Sequence, residues 1–520
     1  MLHRSESTAL AQAGCEQVNA GLLPVPGPDH HGLLRTGLFT ARVAHSGAVT
    51  SSLAGSSGEA GMGAIDGVLT SSAAWGWLLE GLLLYGRDNA AELLRASDHD
   101  EDLVADVIRE LAAEVEASLA PIVNSRPHAS QLEALTELAR QHRQRLTTPG
   151  FDGEVVVARG LAIGLGASLE GTLGEWYAAR GELVIEPGKL HPVHAYDPRA
   201  YLGGPANTDP RTLPARTTDV VPNFRLGDQR AVHHRIVLNW DARNRLEPLS
   251  ARRPLRLAVG QPNLGLDEFD IRWLSTPGDR RWLRVHGPMD QSAQVRVVKA
   301  IVRLACWEQV DVLVLPEYSL AAESRTAVVE ELQAGKWRPT LVVGGSARVE
   351  VSAGSALNQA VLWMPQGAPR TLTKANRARV CDHAEDISTA NAQVMVWISG
   401  DWAICTLICA DALDPDLIDV LRGVGVNLLL IIAMSDKTVS MIANASNLVV
   451  GAQAFTLLAN GPARWAPPRD ERAVAAFDGP YARGPEPVVV YEAHIDPRPG
   501  GMYVFDTGRR TYDFFAVKNV

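Results

Sequence analysis

The sequence predicts an α/β fold for the C-terminal half of the chain, preceded by a mainly helical N-terminal region. From residue 255 onward, short apolar runs rich in β-branched residues alternate with stretches of helical periodicity. Within residues 73–180, apolar positions such as Val104, Val107 and Leu111 instead recur at helical intervals between acidic residues. Strands that are apolar throughout are typical of sheets buried on both faces. We therefore expect a packed α/β domain after a helical one.

Changes in composition divide the chain into four predicted segments. Residues 1–72 are rich in Gly, Ser and Ala and predict a flexible or irregular segment. Residues 73–180 predict a mainly helical domain of unknown role. Residues 181–253 are rich in Pro and Gly and predict a connecting region that holds only short strands, such as residues 235–240. Residues 254–520 form the predicted α/β domain.

The individual elements of the α/β domain follow from local periodicity. Strands are predicted at residues 255–259, 312–315, 340–344, 357–364, 402–408 and 428–433. Helices are predicted at residues 292–309, 326–332 and 416–421. The last segment, residues 488–520, is expected to add strands or a tail that completes the sheet or crosses a dimer interface.

Composition and net charge indicate which classes of partner the protein binds and in which cellular compartment it works. The formal net charge of −10 offers no basic field for phosphates, which disfavours a nucleic-acid partner. The cysteines are odd in number and sparse, which fits a reducing cytoplasm rather than a disulfide framework. They are Cys15, Cys306, Cys381, Cys405 and Cys409. Residues 1–20 lack the apolar region of a signal peptide, and the apolar run at residues 73–85 is too short to span a bilayer. We expect a cytoplasmic protein without a membrane partner.

No metal or cofactor is predicted. The paired histidines are His30 with His31, His191 with His194, and His233 with His234. None of these pairs has a second set of ligands at the spacing of a metal site, so we interpret them as surface residues. The first 253 residues show neither a Walker-type phosphate loop nor a dinucleotide-binding glycine motif.

Three side chains of complementary chemistry lie at or near predicted strand ends. Glu317 follows the run DVLVLP, Cys409 ends the run WAICTLIC, and Lys374 lies in a polar, basic stretch. Ligands of α/β sheets bind beyond the carboxyl ends of strands, where such residues meet. Each residue alone has a plain explanation: a loop acid, a small core thiol and a surface lysine. Their order in one domain is what favours a reaction centre.

This order and its local sequences resemble the nitrilase, or carbon–nitrogen hydrolase, superfamily over residues 255 to about 463. The matching segments are RLAVGQPNL, VLVLPEY, LVVGGS, LNQAVLWMPQG, NLLLIIAMS and ANASNLVVGAQAFTLLAN. Around the thiol, the matching positions are Cys409, Asp411, Pro415, Asp416, Leu421 and Gly425, which stand at the family's intervals.

The resemblance implies an αββα sandwich that associates as a homo-oligomer, and a Glu317–Lys374–Cys409 triad. Cys409 would attack a small amide or carbamoyl substrate and form a thioester, since a thiol needs a nearby base to become a nucleophile. Glu317 would be that base. Lys374 and the backbone N–H of Ala410 would stabilise the oxyanion. Nitrile hydrolysis and acyl transfer are narrower possibilities.

Other residues near the triad have open roles. Glu385 is either a second catalytic glutamate, as in the superfamily, or a solvated loop acid, and Asp411 is expected to fix the turn after the nucleophile. The family's aromatic–Arg pair before the lysine is absent here, which leaves Arg377 and Arg379 as basic alternatives. The altered context also leaves a second hypothesis, in which an inactive hydrolase fold binds a small ligand as a sensor or scaffold for the N-terminal half.

Overall fold

The computed structural model describes most of the chain from residue 64 onward. The described residues are 64–71, 75–119, 122, 127–146, 153–179, 181–192, 220–221, 224–226, 234–251, 254–276, 280–334, 339–352, 355–365, 367–389, 392–400, 402–452, 454–462, 475–479, 491–493, 501–507 and 512–516. The predictions for residues 1–63, including Cys15, His30 and His31, lie outside these ranges. So do His194 and His233.

The described part of residues 64–179 is mainly helical, which agrees in part with the prediction. Its helices are α1 (Ala64–Ser71), α2 (Trp75–Asp88), α3 (Ala90–His99), α4 (Glu101–Leu119), α5 (Ala129–Arg145) and α6 (Gly153–Ala179). Helix α6 contacts each of the other five helices and is apolar on several sides, with Val155, Val156 and Val157 buried in succession. A Cβ at Gly164 would lie 2.6 Å from the Cβ of Val115, so the missing side chain allows α4 and α6 to approach closely.

In the part of the chain that the structure describes, two large sheets and two small ones follow. The eight-stranded sheet has the order β1 (Glu182–Val184), β5 (Arg235–Asn239), β15 (Gln393–Ser399), β16 (Trp402–Ile408), β17 (Leu428–Ala433), β18 (Phe455–Asn460), β19 (Ala475–Asp478) and β20 (Tyr491–Ala493). The seven-stranded sheet has the order β12 (Arg370–Thr373), β11 (Ser355–Trp363), β10 (Leu341–Ser352), β9 (Val312–Val314), β6 (Arg256–Gln261), β21 (Gly501–Asp506) and β22 (Tyr512–Ala516). The four-stranded sheet has the order β13 (Arg379–Val380), β14 (His383–Glu385), β8 (Arg280–Pro288) and β7 (Phe269–Thr276), and the three-stranded sheet β2 (Leu190–Pro192), β4 (Phe224–Leu226) and β3 (Val220–Val221).

Five helices accompany these sheets in the described part of residues 181–520. They are α7 (Arg243–Ala251), α8 (Gln291–Trp307), α9 (Ala322–Ala334), α10 (Pro415–Gly423) and α11 (Thr438–Ala452). Helix α10 begins where its sequence predicts a start: Asp414 accepts hydrogen bonds from the backbone N–H groups of Asp416 and Leu417, and Pro415 occupies the first turn.

Alternate residues of the seven-stranded sheet face two different cores. Leu257, Val259 and Val314 belong to the largest buried cluster, which also contains apolar residues of the eight-stranded sheet. Their neighbours Ala258 and Leu313 belong to a second cluster, with residues of α8 and α9. This alternation is the period-2 geometry of a strand that is covered on both faces. None of the described helices combines the length and apolarity needed to cross a bilayer.

The structure differs from the sequence predictions at two segments near the N-terminal side. Ala64–Ser71, predicted to be irregular, is a helix because Ile65 and Leu69 lie one turn apart and are both fully buried. The predicted connecting region, residues 181–253, supplies β1, β5 and α7 to the eight-stranded sheet and its core. Its strand β5 pairs in parallel with β15, so this sheet begins well before residue 254.

In the C-terminal half, the last segment adds strands as expected, and one of the smaller sheets was not predicted. Strands β21 and β22 complete the seven-stranded sheet, because β21 pairs antiparallel with β6. The strands of the four-stranded sheet were not predicted, since two of them are only two or three residues long. The predicted strands at 402–408 and 428–433 coincide with β16 and β17.

Candidate active site

Glu317 lies in a turn that follows β9 in the seven-stranded sheet, and its carboxylate is buried. Its Oε1 accepts hydrogen bonds from Lys374 Nζ at 2.7 Å and Asn358 Nδ2 at 2.8 Å. Its Oε2 accepts one from the backbone N–H of Met434 at 3.0 Å, at the end of β17. The next residue, Tyr318, has a left-handed backbone with φ of 59°, which turns the chain sharply at this point. The carboxylate is therefore held from three sides.

Lys374 follows β12 and is fully buried between two carboxylates. Its Nζ donates to Glu317 Oε1 and to Glu385 Oε2, each at 2.7 Å. Glu385, which ends β14, also accepts hydrogen bonds from the backbone N–H of Ala378 at 2.9 Å and from the Tyr318 hydroxyl. Glu385 is 2% exposed, so the structure places it inside the cluster and not in a solvated loop.

Asn358 and Tyr318 complete the cluster, and sequence analysis did not single out either residue. Asn358 is buried in β11, and its Nδ2 donates to both Glu317 Oε1 and Glu385 Oε1. The backbone N–H of Tyr318 donates to Ser346 Oγ at 3.1 Å. A polar asparagine within the apolar run LNQAVLW was the available signal for one of them, because buried amides require partners.

Cys409 stands at the end of β16 and begins a short 3₁₀ turn, Cys409–Leu413. Its backbone φ of 52° is unusual for a residue with a side chain and indicates a constrained turn. The thiol is 4% exposed and lies close enough to Glu317 for that carboxylate to raise its pKa. The structure thus brings together the three side chains predicted from the sequence, and Ala410 follows within the same turn.

Asp411 connects the turn of Cys409 to the segment after Lys374. Its Oδ1 accepts hydrogen bonds from the backbone N–H groups of Ala375 at 3.1 Å and Asn376 at 2.6 Å. Its Oδ2 accepts one from the backbone N–H of Ile408 at 3.3 Å. Burial raises the pKa of Asp411 to about 7, although these donors and Lys374 oppose that rise.

The two buried glutamates differ in their electrostatic surroundings. Burial raises the pKa of Glu317, with Lys374 opposing the rise and Glu385 adding to it. Burial also acts to raise the pKa of Glu385, but Lys374, Tyr318 and Ala378 outweigh it and lower that pKa. Glu317 is therefore the carboxyl that more readily takes up a proton, while Glu385 stays ionised beside Lys374.

The lysine and the thiol are held in definite protonation states. Burial acts to lower the pKa of Lys374, but Glu317, Glu385 and Cys409 together raise it well above its usual value, so the side chain is an ammonium. Burial and the Glu317 charge raise the pKa of Cys409 well above its usual value, so the resting side chain is a thiol.

The other candidate residues lie away from this cluster. Arg377 and Arg379 are exposed, and Arg377 Nε donates to the backbone carbonyl of Ile387 at 2.7 Å. Cys405 is fully buried, and its pKa is raised by burial, as for an inert core thiol. His191 is buried, contrary to its interpretation as a surface residue, because its ring is hydrogen-bonded to the Glu186 backbone. His234 is hydrogen-bonded to Asp414. Among the described residues, no three potential metal ligands lie together.

No protein-family model matches the chain, and no curated protein matches it significantly. Solved structures of nitrilase-superfamily amidases are similar to about half of it. An amidase from Nesterenkonia sp. has 14% identity and a TM-score of 0.34, covering 48% of this chain and 89% of the amidase. A cysteine-to-alanine mutant of the Nesterenkonia AN1 amidase has 14% identity and a TM-score of 0.35, covering 49% and 90%.

Proposed function

We propose that this protein is a thiol-dependent hydrolase of non-peptide carbon–nitrogen bonds, such as those of small amides or carbamoyl compounds. The observation that supports this most is the buried cluster in which Lys374 binds both Glu317 and Glu385 and the Cys409 thiol lies beside Glu317. A nucleophile, a base and a cation at hydrogen-bond distance are the groups that acyl transfer requires.

The charges of the cluster favour a base-assisted attack over a permanent thiolate. With a neutral thiol, two carboxylates and one ammonium give the cluster a net charge of −1. Release of the thiol proton to solvent would make the net charge of this buried cluster −2, which is unfavourable. Transfer of the same proton to Glu317 leaves the net charge unchanged. Glu317 suits this role because its pKa is already raised.

The proposed reaction has two halves. In the first, Cys409 Sγ forms a bond to the amide carbonyl carbon as its proton passes to Glu317. Glu317 then gives this proton to the leaving nitrogen as the C–N bond breaks, which releases an amine or ammonia and leaves a thioester. In the second, Glu317 takes a proton from water, whose oxygen attacks the thioester. The acid departs and Cys409 regains its proton.

The developing oxyanion needs donors that are already in place. Lys374 has three N–H bonds, of which two are directed at Glu317 and Glu385. We propose that the third, together with the backbone N–H of Ala410, binds the oxyanion. Loss of one such donor typically raises the barrier by about 3–4 kcal/mol.

We also propose that the two large sheets form the central layers of an αββα sandwich, with α8 and α9 outside one sheet and α10 and α11 outside the other. The shared core of the two sheets and the separate core of α8 and α9 support this arrangement. Association into a homo-oligomer stays a prediction, which sedimentation equilibrium of the full chain at micromolar concentration tests.

The function is tested by screening small amides with the full chain and trapping the acyl-enzyme by acid quench and intact mass spectrometry. We expect turnover, and an acyl adduct on the Cys409 peptide. Cys409→Ala should abolish both, and Glu317→Gln should slow turnover by about 10²–10⁴-fold. Cys405→Ala is the matched control, because it removes a buried thiol of the same strand outside the cluster and should leave turnover intact.

Two results distinguish hydrolysis from the alternatives. Turnover that persists in Cys409→Ala would reject a thioester mechanism. Tight binding of an amide, with no adduct and no product over the whole panel, would instead support the sensor or scaffold hypothesis.

A further inference from the structure

The four-stranded sheet has one apolar face, and Glu385 lies on that face. Trp273 pairs with Leu283, and Leu283 pairs with Glu385, so these three residues of β7, β8 and β14 lie side by side on one surface. Ile271 pairs with Val285 on the same surface. The proposed catalytic cluster therefore borders an apolar wall.

The apolar wall is continuous with the catalytic cluster through two further residues. Tyr318, whose hydroxyl donates to Glu385, belongs to the same apolar cluster as Phe269, Leu283 and Val285. Met434, whose backbone N–H donates to Glu317, packs against that cluster. A ligand that reaches the reacting groups therefore has this wall beside it.

The burial of the wall is graded. Phe269, Leu283 and Val285 are buried, whereas Ile271, Trp273, Val380 and Met434 are only half-buried. The Trp273 ring also contacts the ring of His383 edge-on, with centroids 4.7 Å apart. His383 lies two residues before Glu385 in β14 and on the same face, so the indole reaches across β8 to the strand that ends in Glu385. Half-buried apolar side chains at a site's edge offer surface that a ligand can cover.

The opposite face of the same sheet has a different character. It carries Arg272, which pairs with Asp270, and Arg284, which pairs with Asp386. Trp282 lies there as well, with the Arg377 guanidinium 5.5 Å above its ring. The sheet thus turns charged groups outward, and its site-side face is apolar.

We infer that this apolar wall is a substrate subsite, and that it binds an uncharged hydrophobic substituent, aromatic or branched, on the amide. The inference rests on the function proposed above and names its substrate class. An anionic substituent is disfavoured because the wall offers it no free cation among the described residues: Arg281 is paired with Asp382. Small amides such as acetamide would leave the wall uncovered.

The test uses iodoacetamides, which mimic an amide and report on Cys409 directly. Alkylation forms an Sγ–carbon bond and releases iodide and the thiol proton. Iodoacetamide, N-ethyl iodoacetamide, N-benzyl iodoacetamide and iodoacetate are compared on the full wild-type chain. The rate at Cys409 is resolved by peptide mass spectrometry and divided by the rate of each reagent with glutathione. We expect the normalised rate of the N-benzyl reagent to exceed that of iodoacetamide by about tenfold, and iodoacetate to be slowest.

A matched pair of variants locates the effect. Trp273→Ala removes the aromatic ring of the wall and should abolish the preference for the N-benzyl reagent. Trp282→Ala removes the same side chain from the opposite face of the hairpin and should keep that preference. If Trp273→Ala does not fold, the wild-type series alone decides the question.

The outcomes separate the two proposals. Equal normalised rates for the N-benzyl and unsubstituted reagents in the wild type would overturn the subsite, while labelling of Cys409 that depends on Glu317 would still support the hydrolase. A preference that survives in Trp273→Ala would also overturn it. Failure of every reagent to label Cys409 would reject both proposals.

Discussion

Asp411 shows how a single residue couples parts of the site that are distant in sequence. Its carboxylate joins the backbone just before Cys409 to the backbone just after Lys374. The sequence alone indicated a role in the turn after the nucleophile, through the spacing of Cys409 and Asp411. It could not indicate the contact with Ala375 and Asn376, because a separation of about 35 residues carries no distance information.

The raised pKa of Asp411 gives a pH-dependent stability. The folded state holds this proton more tightly than the unfolded chain, because the pKa rises from 3.8 to about 7. The contribution of Asp411 is therefore greatest below the unfolded pKa and is lost as the pH rises through the folded pKa. We expect the unfolding free energy of the wild type relative to Asp411→Asn to fall between pH 5 and pH 7, by at most about 1.4 kcal/mol per pH unit.

Urea unfolding of both proteins over pH 5–8 measures this difference. The slope should flatten above about pH 7, where Asp411 is ionised in both states. A difference that does not change with pH would contradict the assignment of the titration to Asp411.

Tyr318 is expected to stabilise the ionised form of Glu385. Tyr318→Phe removes the hydroxyl donor and keeps the ring in its apolar cluster. Because the lost hydrogen bond is to a charged group, we expect the unfolding free energy to fall by about 1.5–3 kcal/mol at neutral pH. The Glu385 pKa is lowered in the folded state, so its contribution is present above the usual value of 4.5 and is lost as the pH falls through the folded pKa. Because both proteins share the same unfolded state, the loss caused by Tyr318→Phe should shrink only as the pH falls through the lowered folded pKa of Glu385. A loss near zero at neutral pH in urea unfolding would count against this role.

At the scale of elements, a bulge in β10 shapes the turn that carries Glu317. The register of β10 with β11 shifts between Val343 and Ser346, and Gly345 has φ of 71° at this point. A Cβ on Gly345 would lie 2.4 Å from the Pro316 carbonyl oxygen and 2.5 Å from Ser319 Oγ. The bulge also presents Ser346 Oγ to the backbone N–H of Tyr318. β-Bulges commonly redirect side chains in this way beside active sites.

Gly345→Ala tests this contact, and Gly188→Ala is its matched control. Gly188 has φ of 72°, but a Cβ added there would meet nothing within 4 Å, so its substitution adds only backbone strain of about 1–2 kcal/mol. We expect Gly345→Ala to lower the unfolding free energy by about 1–3 kcal/mol more than the control, since it also overpacks the turn. A displacement of Glu317 by about 1 Å should slow alkylation of Cys409 by about a hundredfold. Equal effects of the two substitutions would mean that the turn tolerates the added methyl group.

The elements that sequence analysis predicted well are those whose burial leaves a clear pattern. Strands β16 and β17 are buried at every position, so each is a continuous apolar run. The β7–β8 hairpin was missed although Phe269, Ile271 and Trp273 alternate with polar residues, which is a strand pattern. Strand β14 is too short to show a pattern, and its place is fixed by its pairing with β8. Such pairing depends on tertiary contacts that a single sequence does not encode locally.

At the scale of the whole molecule, residues assigned to a connecting region belong to the main core. Ile236 and Leu238 of β5 and Leu246 and Leu249 of α7 are all fully or almost fully buried in the largest cluster. The strand at residues 235–240 was predicted, but the frequent prolines and glycines of the surrounding sequence concealed helix α7 and the membership of both elements in the main core. We propose that the hydrolase unit begins near residue 181 rather than at 254.

Two truncated chains test this boundary. A fragment of residues 254–520 lacks the four buried side chains. Burial of each contributes about 1.5–3 kcal/mol, so the fragment loses about 6–12 kcal/mol of stabilisation. That loss is comparable to the whole stability of a typical domain, about 5–15 kcal/mol. It also leaves β15 without its parallel neighbour β5. We therefore expect the fragment 254–520 to aggregate, and the fragment 181–520 to be monodisperse in gel filtration with Cys409 alkylated at the rate of the full chain. A monodisperse fragment 254–520 with full Cys409 reactivity would show instead that β1, β5 and α7 are dispensable additions to an independent core.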